Sequence, residues 1–390
     1  MYVHREIKSK FEKNESIYGS IALVGVRQAG KTTFLKEEAK IRKSTYLSFD
    51  DPDIRNLFDE DIKKFEKQFT DGYELAVFDE VQYCKDAGRK LKYLIDKGKK
   101  IWITSSSEII LSKDILSYLV GRISIMRLYP FSLKEFLIAN NQKEFIKEVL
   151  ERNIWEHVSF GGYPKVVITK DIENKKQILK DLYETMILKD IAKTFSIEDI
   201  TSLEEFVRYL AINTGGLISF DKVSNDINIS FQTVKKYLDA MEKSYLIVKV
   251  RPFYKNKLKE ITKQYKTYFL DTGMRNFISK SFNIEIEGKL FENYVLSELT
   301  KAGFTPKYWR NKSKAEVDFI VEKENEIIPI EVKINANSGK IERSFRSFIE
   351  DYKPKRAFVV SYKNFDKTEK IGNCKVIFTN VFNLVEYLSR

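Results

Sequence analysis

An unbroken Gly-x-x-x-x-Gly-Lys-Thr octapeptide, Gly25-Val26-Arg27-Gln28-Ala29-Gly30-Lys31-Thr32, stands directly after the apolar run Ile21–Val24 and directly before a helix-favouring stretch. This order constrains the fold more than any other feature of the chain. A strand that feeds a glycine-containing turn opening into a helix aims several backbone N–H groups, and the positive end of the helix dipole, at one point. Glycine lacks a Cβ, so an anion can lie close against the backbone there. Such a turn belongs at the end of a buried strand, and further short apolar runs follow at Thr45–Phe49, Leu75–Phe78, Ile101–Thr104 and Ser124–Leu128, with charged, helix-favouring segments between them. The alternation predicts an α/β fold, a parallel sheet covered by helices.

The octapeptide is the phosphate-binding pattern, and its residue types suit a nucleoside triphosphate, ATP, with Mg2+. Residues Gly25, Val26, Arg27, Gln28, Ala29, Gly30, Lys31, Thr32 and Thr33 form the expected cofactor-binding run. Lys31 supplies a cation for the β- and γ-phosphates, and the Thr32 hydroxyl is a magnesium ligand. Downstream, Leu75–Phe78 runs into Asp79-Glu80, which brings carboxylates to the C-terminal edge of the same sheet. Asp79 is the second metal residue, and Glu80 the group that orients and deprotonates the attacking water. A strand ending in two acids is also an ordinary solvated turn. Thr104-Ser105-Ser106-Ser107 sets hydroxyls where they could sense the γ-phosphate. Arg122, in Leu119-Val120-Gly121-Arg122, is a candidate arginine finger or a plain surface arginine.

Beyond Tyr129-Pro130-Phe131 the strand signal fades, and Leu133–Val149 and Lys175–Lys193 have amphipathic helical spacing. A helix at Val223–Ile227, a turn at Asn228-Ile229-Ser230 and a helix at Phe231–Ser244 precede strand-like Leu246–Arg251 and Tyr265–Leu270, joined by the Lys-rich segment Tyr254–Lys263. This is the outline of a winged helix-turn-helix, with Gln232, Thr233, Lys235 and Lys236 where a groove reader presents side chains; helix pairs of this kind equally serve protein contacts. From about residue 280 the pattern becomes α/β again. The expected organisation is a nucleotide core at 1–130, a helical region with the winged helix at 131–279, and a third domain at 280–390.

That third domain carries a second group of charges. Asp318 lies in Ala315-Glu316-Val317-Asp318-Phe319-Ile320, and Glu331 and Lys333 lie in Pro329-Ile330-Glu331-Val332-Lys333 on the next strand. The two-residue period of a strand puts Glu331 and Lys333 on one face, beside Asp318 of a hairpin partner. Glu292, on the preceding helix, could complete a metal shell with Asp318 and Glu331, while Lys333 helps activate a water for attack on a phosphodiester. Charged residues alternating with Val and Ile also fit a half-exposed strand.

Composition narrows the partners. Lys and Arg exceed Asp and Glu by 68 to 56, a net charge of +12 that suits an anionic partner such as DNA. With His4 and His157 the only histidines, and Cys84 and Cys374 each far from a second cysteine, histidine-based catalysis, zinc and disulfides are not expected. No apolar run approaches the roughly 18 residues that span a bilayer, so no membrane partner and a cytoplasmic location are expected. A homo-oligomer is a further expectation.

Taken together, Gly25–Thr32, Phe78-Asp79-Glu80, Leu119–Arg122, Tyr129-Pro130-Phe131, Gly161-Gly162-Tyr163-Pro164, Phe269-Leu270-Asp271-Thr272-Gly273, Gly288–Glu292 and Glu331-Val332-Lys333 resemble the prokaryotic AAA-type ATPases that carry a C-terminal domain called DUF4143. The resemblance spans nearly the whole chain. It implies an ASCE-type P-loop core, a winged-helix segment and a C-terminal domain similar to the PD-(D/E)xK nucleases, onto which Asp318, Glu331 and Lys333 map. Ser105-Ser106 departs from the family pattern, in which a glycine often precedes the serines. The expected function is an ATPase whose nucleotide state controls a DNA-engaging or DNA-cleaving module. The competing expectation is a nucleotide-dependent protein switch with a non-catalytic nuclease-like domain. A small-molecule kinase leaves the two later domains unexplained.

Overall fold

The computed structural model describes residues 2–105, 115–142, 147–282, 285–324, 326–336, 339–363 and 366–389. The chain forms two compact units: Met1–Pro130 with Glu184–Ile197 and Lys243–Tyr245, and Phe131–Tyr183 with Glu198–Glu242 and Leu246–Arg390.

In the first unit, strands β1 (Ser20–Val24), β2 (Ser44–Ser48), β3 (Leu75–Asp79), β4 (Ile101–Ser105) and β5 (Ile123–Arg127) make one parallel sheet in the order β2-β3-β4-β1-β5. Every residue of β1, β3 and β4 is buried, as parallel strands covered on both faces require. Ile21, Leu23, Phe34, Val77 and Trp102 share the core, and Phe11 meets Phe34 and Trp102 edge-on. The order matters for chemistry, because β4 lies between the strand that feeds the octapeptide and the strand that ends in Asp79. Residues at the end of β4 are thereby delivered between the two motifs.

Segment Lys175–Lys193, expected as one amphipathic helix, divides in its geometry. Ile172–Thr185 is α-helical, and Met186–Lys193 is π-helical. The wider turn falls in the stretch that belongs to the nucleotide unit.

The second unit holds helices, a two-stranded ladder of β6 (Ile247–Val250) and β7 (Lys266–Phe269), and a six-stranded mixed sheet. That sheet runs β12-β13-β11-β10-β9-β8, from β8 (Lys307–Arg310), β9 (Glu316–Lys323), β10 (Glu326–Lys333), β11 (Arg356–Ser361), β12 (Lys367–Ile371) and β13 (Cys374–Thr379). Helix Gly288–Lys301 packs Phe291, Tyr294, Val295 and Leu299 into a core shared with Phe319, Ile328 and Phe358 of the sheet. Helices Phe220–Asp226 and Phe231–Lys243 precede β6, and the Ser230 hydroxyl accepts from Thr233 N–H as an N-cap. The Lys-rich connection between β6 and β7, expected from its pattern as a joining segment, contains the helix Lys257–Thr262. Its cap is Asn256, whose side chain accepts from Leu258 N–H.

Two of the sequence motifs explain each other. Asp271 caps helix Thr272–Ser279 through Met274 N–H, and its other oxygen accepts from Gly162 N–H at 2.7 Å. A Cβ on Gly161, whose φ is +77°, would lie 2.0 Å from the Asp271 carboxylate. The paired glycines and the Asp-Thr-Gly turn therefore meet at a contact that admits no side chain.

Candidate functional site

The octapeptide forms the turn between β1 and helix Lys31–Ala39. Gly25 and Gly30 have φ of +144° and +95°, and a Cβ on Gly25 would lie 2.1 Å from the Leu128 carbonyl oxygen, so glycine is required there. Val26 and Ala29 are buried and anchor the loop, and Gln28 takes a positive φ of 58°. Arg5 donates to the carbonyls of Ala29 (2.8 Å) and Tyr129 (2.6 Å), fastening the loop from its outer side. Lys31 is buried and donates to the carbonyls of Gly25 (2.8 Å) and Val26 (3.1 Å). Burial lowers its pKa, opposed by the fields of Glu80, Asp190 and Asp79.

Asp79 ends β3 surrounded by hydroxyls. Thr32 donates to both its oxygens at 3.0 Å, Tyr46 donates to Oδ2 at 2.6 Å, and Thr104 bonds Oδ1. Glu80 N–H in turn donates to the Thr104 hydroxyl at 3.0 Å. The Thr32 hydroxyl and the Asp79 carboxylate, brought together at the edge of the loop, are a donor pair that fits Mg2+. Glu80 stands at a positive φ of 57° just past the strand, and Gln82 donates to its carboxylate. Arg122 is half exposed and pairs with Asp96 at 2.6 Å. Thr104, expected among the γ-phosphate sensors, is buried against Asp79. Ser106 and Ser107 lie outside the described residues.

The charged group of the mixed sheet lies wholly within the second unit and lines a cavity of about 450 Å3. Strands β9 and β10 pair antiparallel with Ile330 opposite Phe319, and one further step sets Asp318 beside Glu331. Asp318 accepts from Val332 N–H at 2.8 Å. Its pKa is pushed well above the carboxylate range by burial, then by Glu331 and Glu292. Burial likewise raises Glu331, to about 7 despite Lys333, and its Oε2 is buried with no hydrogen-bond partner. Lys333 bonds Glu331 Oε1 at 2.9 Å and also pairs with Glu342; burial opposes its charge, but the two acids hold it above the usual lysine value.

Glu292 is placed differently from the other two acids. Its Oε1 accepts from Lys266 (3.2 Å) and Tyr268 (2.5 Å), and its Oε2 accepts from Lys289 (2.6 Å). Lys266, almost fully buried on β7, also pairs with Glu316 at 2.5 Å. Asn293, the next residue on the helix, locks this arrangement by bonding both backbone groups of Phe269. Among the described residues no three His, Cys, Asp or Glu side chains stand in metal-binding geometry. The unpartnered Glu331 oxygen and the neighbouring Asp318 fit a divalent cation, whereas both Glu292 oxygens already serve ammonium and phenol groups.

Residues 18–137 match the family model of an AAA domain, 151–285 that of a domain of unknown function called DUF8612, and 287–380 that of DUF4143. The chain thus joins an AAA-type P-loop ATPase domain to a C-terminal DUF4143 domain. Among curated relatives of this ATPase, an uncharacterised protein of Methanocaldococcus jannaschii is 29% identical over 374 residues, covering 90% of this chain and 82% of the relative. One of Haemophilus influenzae is 27% identical over 377 residues, covering 91% of each. Of solved structures, the Walker-type ATPase of Pyrococcus abyssi has 16% identity and a TM-score of 0.49, covering 71% of this chain and 96% of that one. The ORC2 protein of Aeropyrum pernix has 14% identity and a TM-score of 0.43, covering 72% and 94%.

In this ATPase, sequence reasoning missed Tyr46, Asp190, Lys266 and Glu316. Tyr46 sits in an apolar run and gave no polar signal. Asp190 and Lys266 are remote in sequence from the motifs they contact. Glu316 alone carried a hint, standing two residues before Asp318 and hence on the same strand face.

Proposed function

We propose that the chain binds and hydrolyses ATP·Mg2+ in the residue 1–130 core, and that nucleotide state controls the C-terminal module. The observation that carries this reading is the convergence of Lys31, Thr32, Asp79 and Thr104 where β1, β4 and β3 end side by side. In it, the amides of Gly25–Thr33 cradle the phosphates, and Lys31 exchanges its loop carbonyls for the β- and γ-phosphate oxygens. Thr32 and Asp79 would hold magnesium, which would supply charge neutralisation at the phosphoryl oxygens. Glu80 orients the water and accepts its proton. The hydroxyls of Tyr46 and Thr104 hold the Asp79 carboxylate in place. Phosphate release by the full chain tests the reading: Lys31→Ala should abolish it, and unchanged release would sink it.

For the second unit the proposal is a DNA-engaging module, with helices Phe220–Asp226 and Phe231–Lys243 and the β6–β7 ladder acting as a winged helix, and 280–390 acting as a PD-(D/E)xK-like domain. Support comes from the net charge of +12 and from the buried pair Asp318 and Glu331 beside Lys333. In a nuclease, Asp318 and Glu331 would hold a divalent cation that polarises the phosphodiester, and Lys333 would orient the attacking water. A second reading, a protein-interaction switch that cuts nothing, is favoured by Lys266, because a buried ammonium already balances Glu292 and Glu316. DNA affinity measured against salt separates the two. A steep fall supports the DNA reading, and no binding at low salt supports the switch.

A further inference from the structure

Arg27 is the one octapeptide side chain that forms a bidentate ion pair among the described residues. Its Nε donates to Asp190 Oδ2 at 3.0 Å and its Nη2 to Oδ1 at 2.9 Å. The acid is nearly buried and the arginine only 23% exposed, so water screens the pair weakly. Asp190 lies in the π-helical stretch Met186–Lys193, and its carbonyl accepts from the Ser244 hydroxyl at 3.3 Å. A π turn is a rare widening of a helix, frequent at functional sites, and its added residue re-aims the side chains around it. Here the re-aimed side chain meets the phosphate loop.

We propose that Asp190 is a positioning residue of the nucleotide site, which grips Arg27 and so ties segment 184–197 to the state of the bound phosphates. The inference rests on the reading of Gly25–Thr32 as the ATP loop. One observation besides the ion pair supports it. The Arg27 guanidinium also lies beside Tyr83, just past Glu80, so it stands between the end of β3 and the π turn. A triphosphate in the loop attracts the same guanidinium. The contact between loop and π turn then changes with the number of phosphates, and the chain leads directly from that turn into the helical region on either side.

The test uses the full chain, a fluorescent ATP analogue with magnesium for affinity, and phosphate release for turnover. Asp190→Asn should leave analogue affinity within about threefold and lower kcat by about tenfold or more, the signature of lost positioning rather than lost binding. Arg27→Gln should do the same, and the double variant should be no worse than either single one. Asp190→Glu, which keeps the charge, should recover part of the rate. Turnover of Asp190→Asn within about twofold of the parent, or losses that multiply in the double variant, would overturn the proposal. If Asp190→Asn does not fold, Arg27→Gln alone carries the comparison, read by hydrogen exchange. Exchange over 184–197 should slow in the parent chain on adding the analogue and respond less in Arg27→Gln. An unchanged rate in the parent would overturn the coupling. A parent chain that takes up no nucleotide defeats the ATP reading itself, whereas uptake with a silent Asp190 defeats this inference alone.

Discussion

The phosphate loop and the carboxylate cluster of the mixed sheet solve one problem, a buried acid, in opposite ways. Asp79, at a strand end, is met by three hydroxyls, neutral donors that satisfy both its oxygens. Asp318 and Glu331 instead face each other and Glu292, and burial with like charge drives both toward the protonated form. The first site is organised before any ion arrives. The second holds unresolved charge, balanced by Lys266 and Lys333 and complete only with a proton or a cation. The contrast teaches that a carboxylate pair on adjacent strands is not by itself a metal site; what the other oxygens bind decides.

The largest effect expected is at the loop. Lys31→Ala should lower ATP turnover by roughly two orders of magnitude or more, because Lys31 is the buried ammonium held at the Gly25 and Val26 carbonyls, within the loop that cradles the phosphates. Thr104→Val, which removes one hydroxyl from Asp79, should cost about tenfold in kcat with little change in ATP affinity. If it has no effect, the neutral-donor half of the contrast is wrong.

Lys266→Met probes the other half. Removing one partner of a buried ion pair costs about 3–5 kcal/mol, so the variant should melt well below the parent chain in chelator. Added Mn2+ should then raise its melting temperature more than it raises the parent's, since Glu292 and Glu316 are released for a cation. A variant as stable as the parent in chelator would show that the cluster is not charge-balanced by this lysine.

A smaller effect is tied to pH. Glu331 is raised from an ordinary 4.5 to about 7, so its ionised form is penalised in the folded chain. Stability is unaffected below about pH 4.5, falls as pH rises toward 7, and levels off above, a loss on the order of 1–3 kcal/mol. Glu331→Gln should flatten that slope in urea melts without metal. The smallest effect belongs to Arg122, whose exposed pair with Asp96 should leave the melting temperature almost unchanged when Arg122 becomes Ala. A turnover loss in that variant would mark it as the arginine finger.

The same contrast governs what could be read from the chain. The parallel sheet was legible because Ile21–Val24, Leu75–Phe78 and Ile101–Thr104 are buried on both faces and must be apolar throughout. The loop residues were legible because backbone geometry fixes glycine at Gly25 and chemistry fixes Lys31 and Thr32. Asp318 and Glu331 were legible through the two-residue strand period. Tyr46, Asp190 and Lys266 were not, since their roles arise from strand order, a π turn and a remote ladder, none of which leaves a local spacing. The same holds for Glu292: its position on the helix was foreseen, but not the lysines and tyrosine that occupy its oxygens.

Release of phosphate from Mg2+–ATP by the purified chain, beside the Lys31→Ala variant at equal concentration, tests the central claim most directly. Turnover in the parent that falls to about a hundredth or less in the variant is the predicted result. Equal turnover in both, or no uptake of any nucleoside triphosphate by the parent, would contradict it.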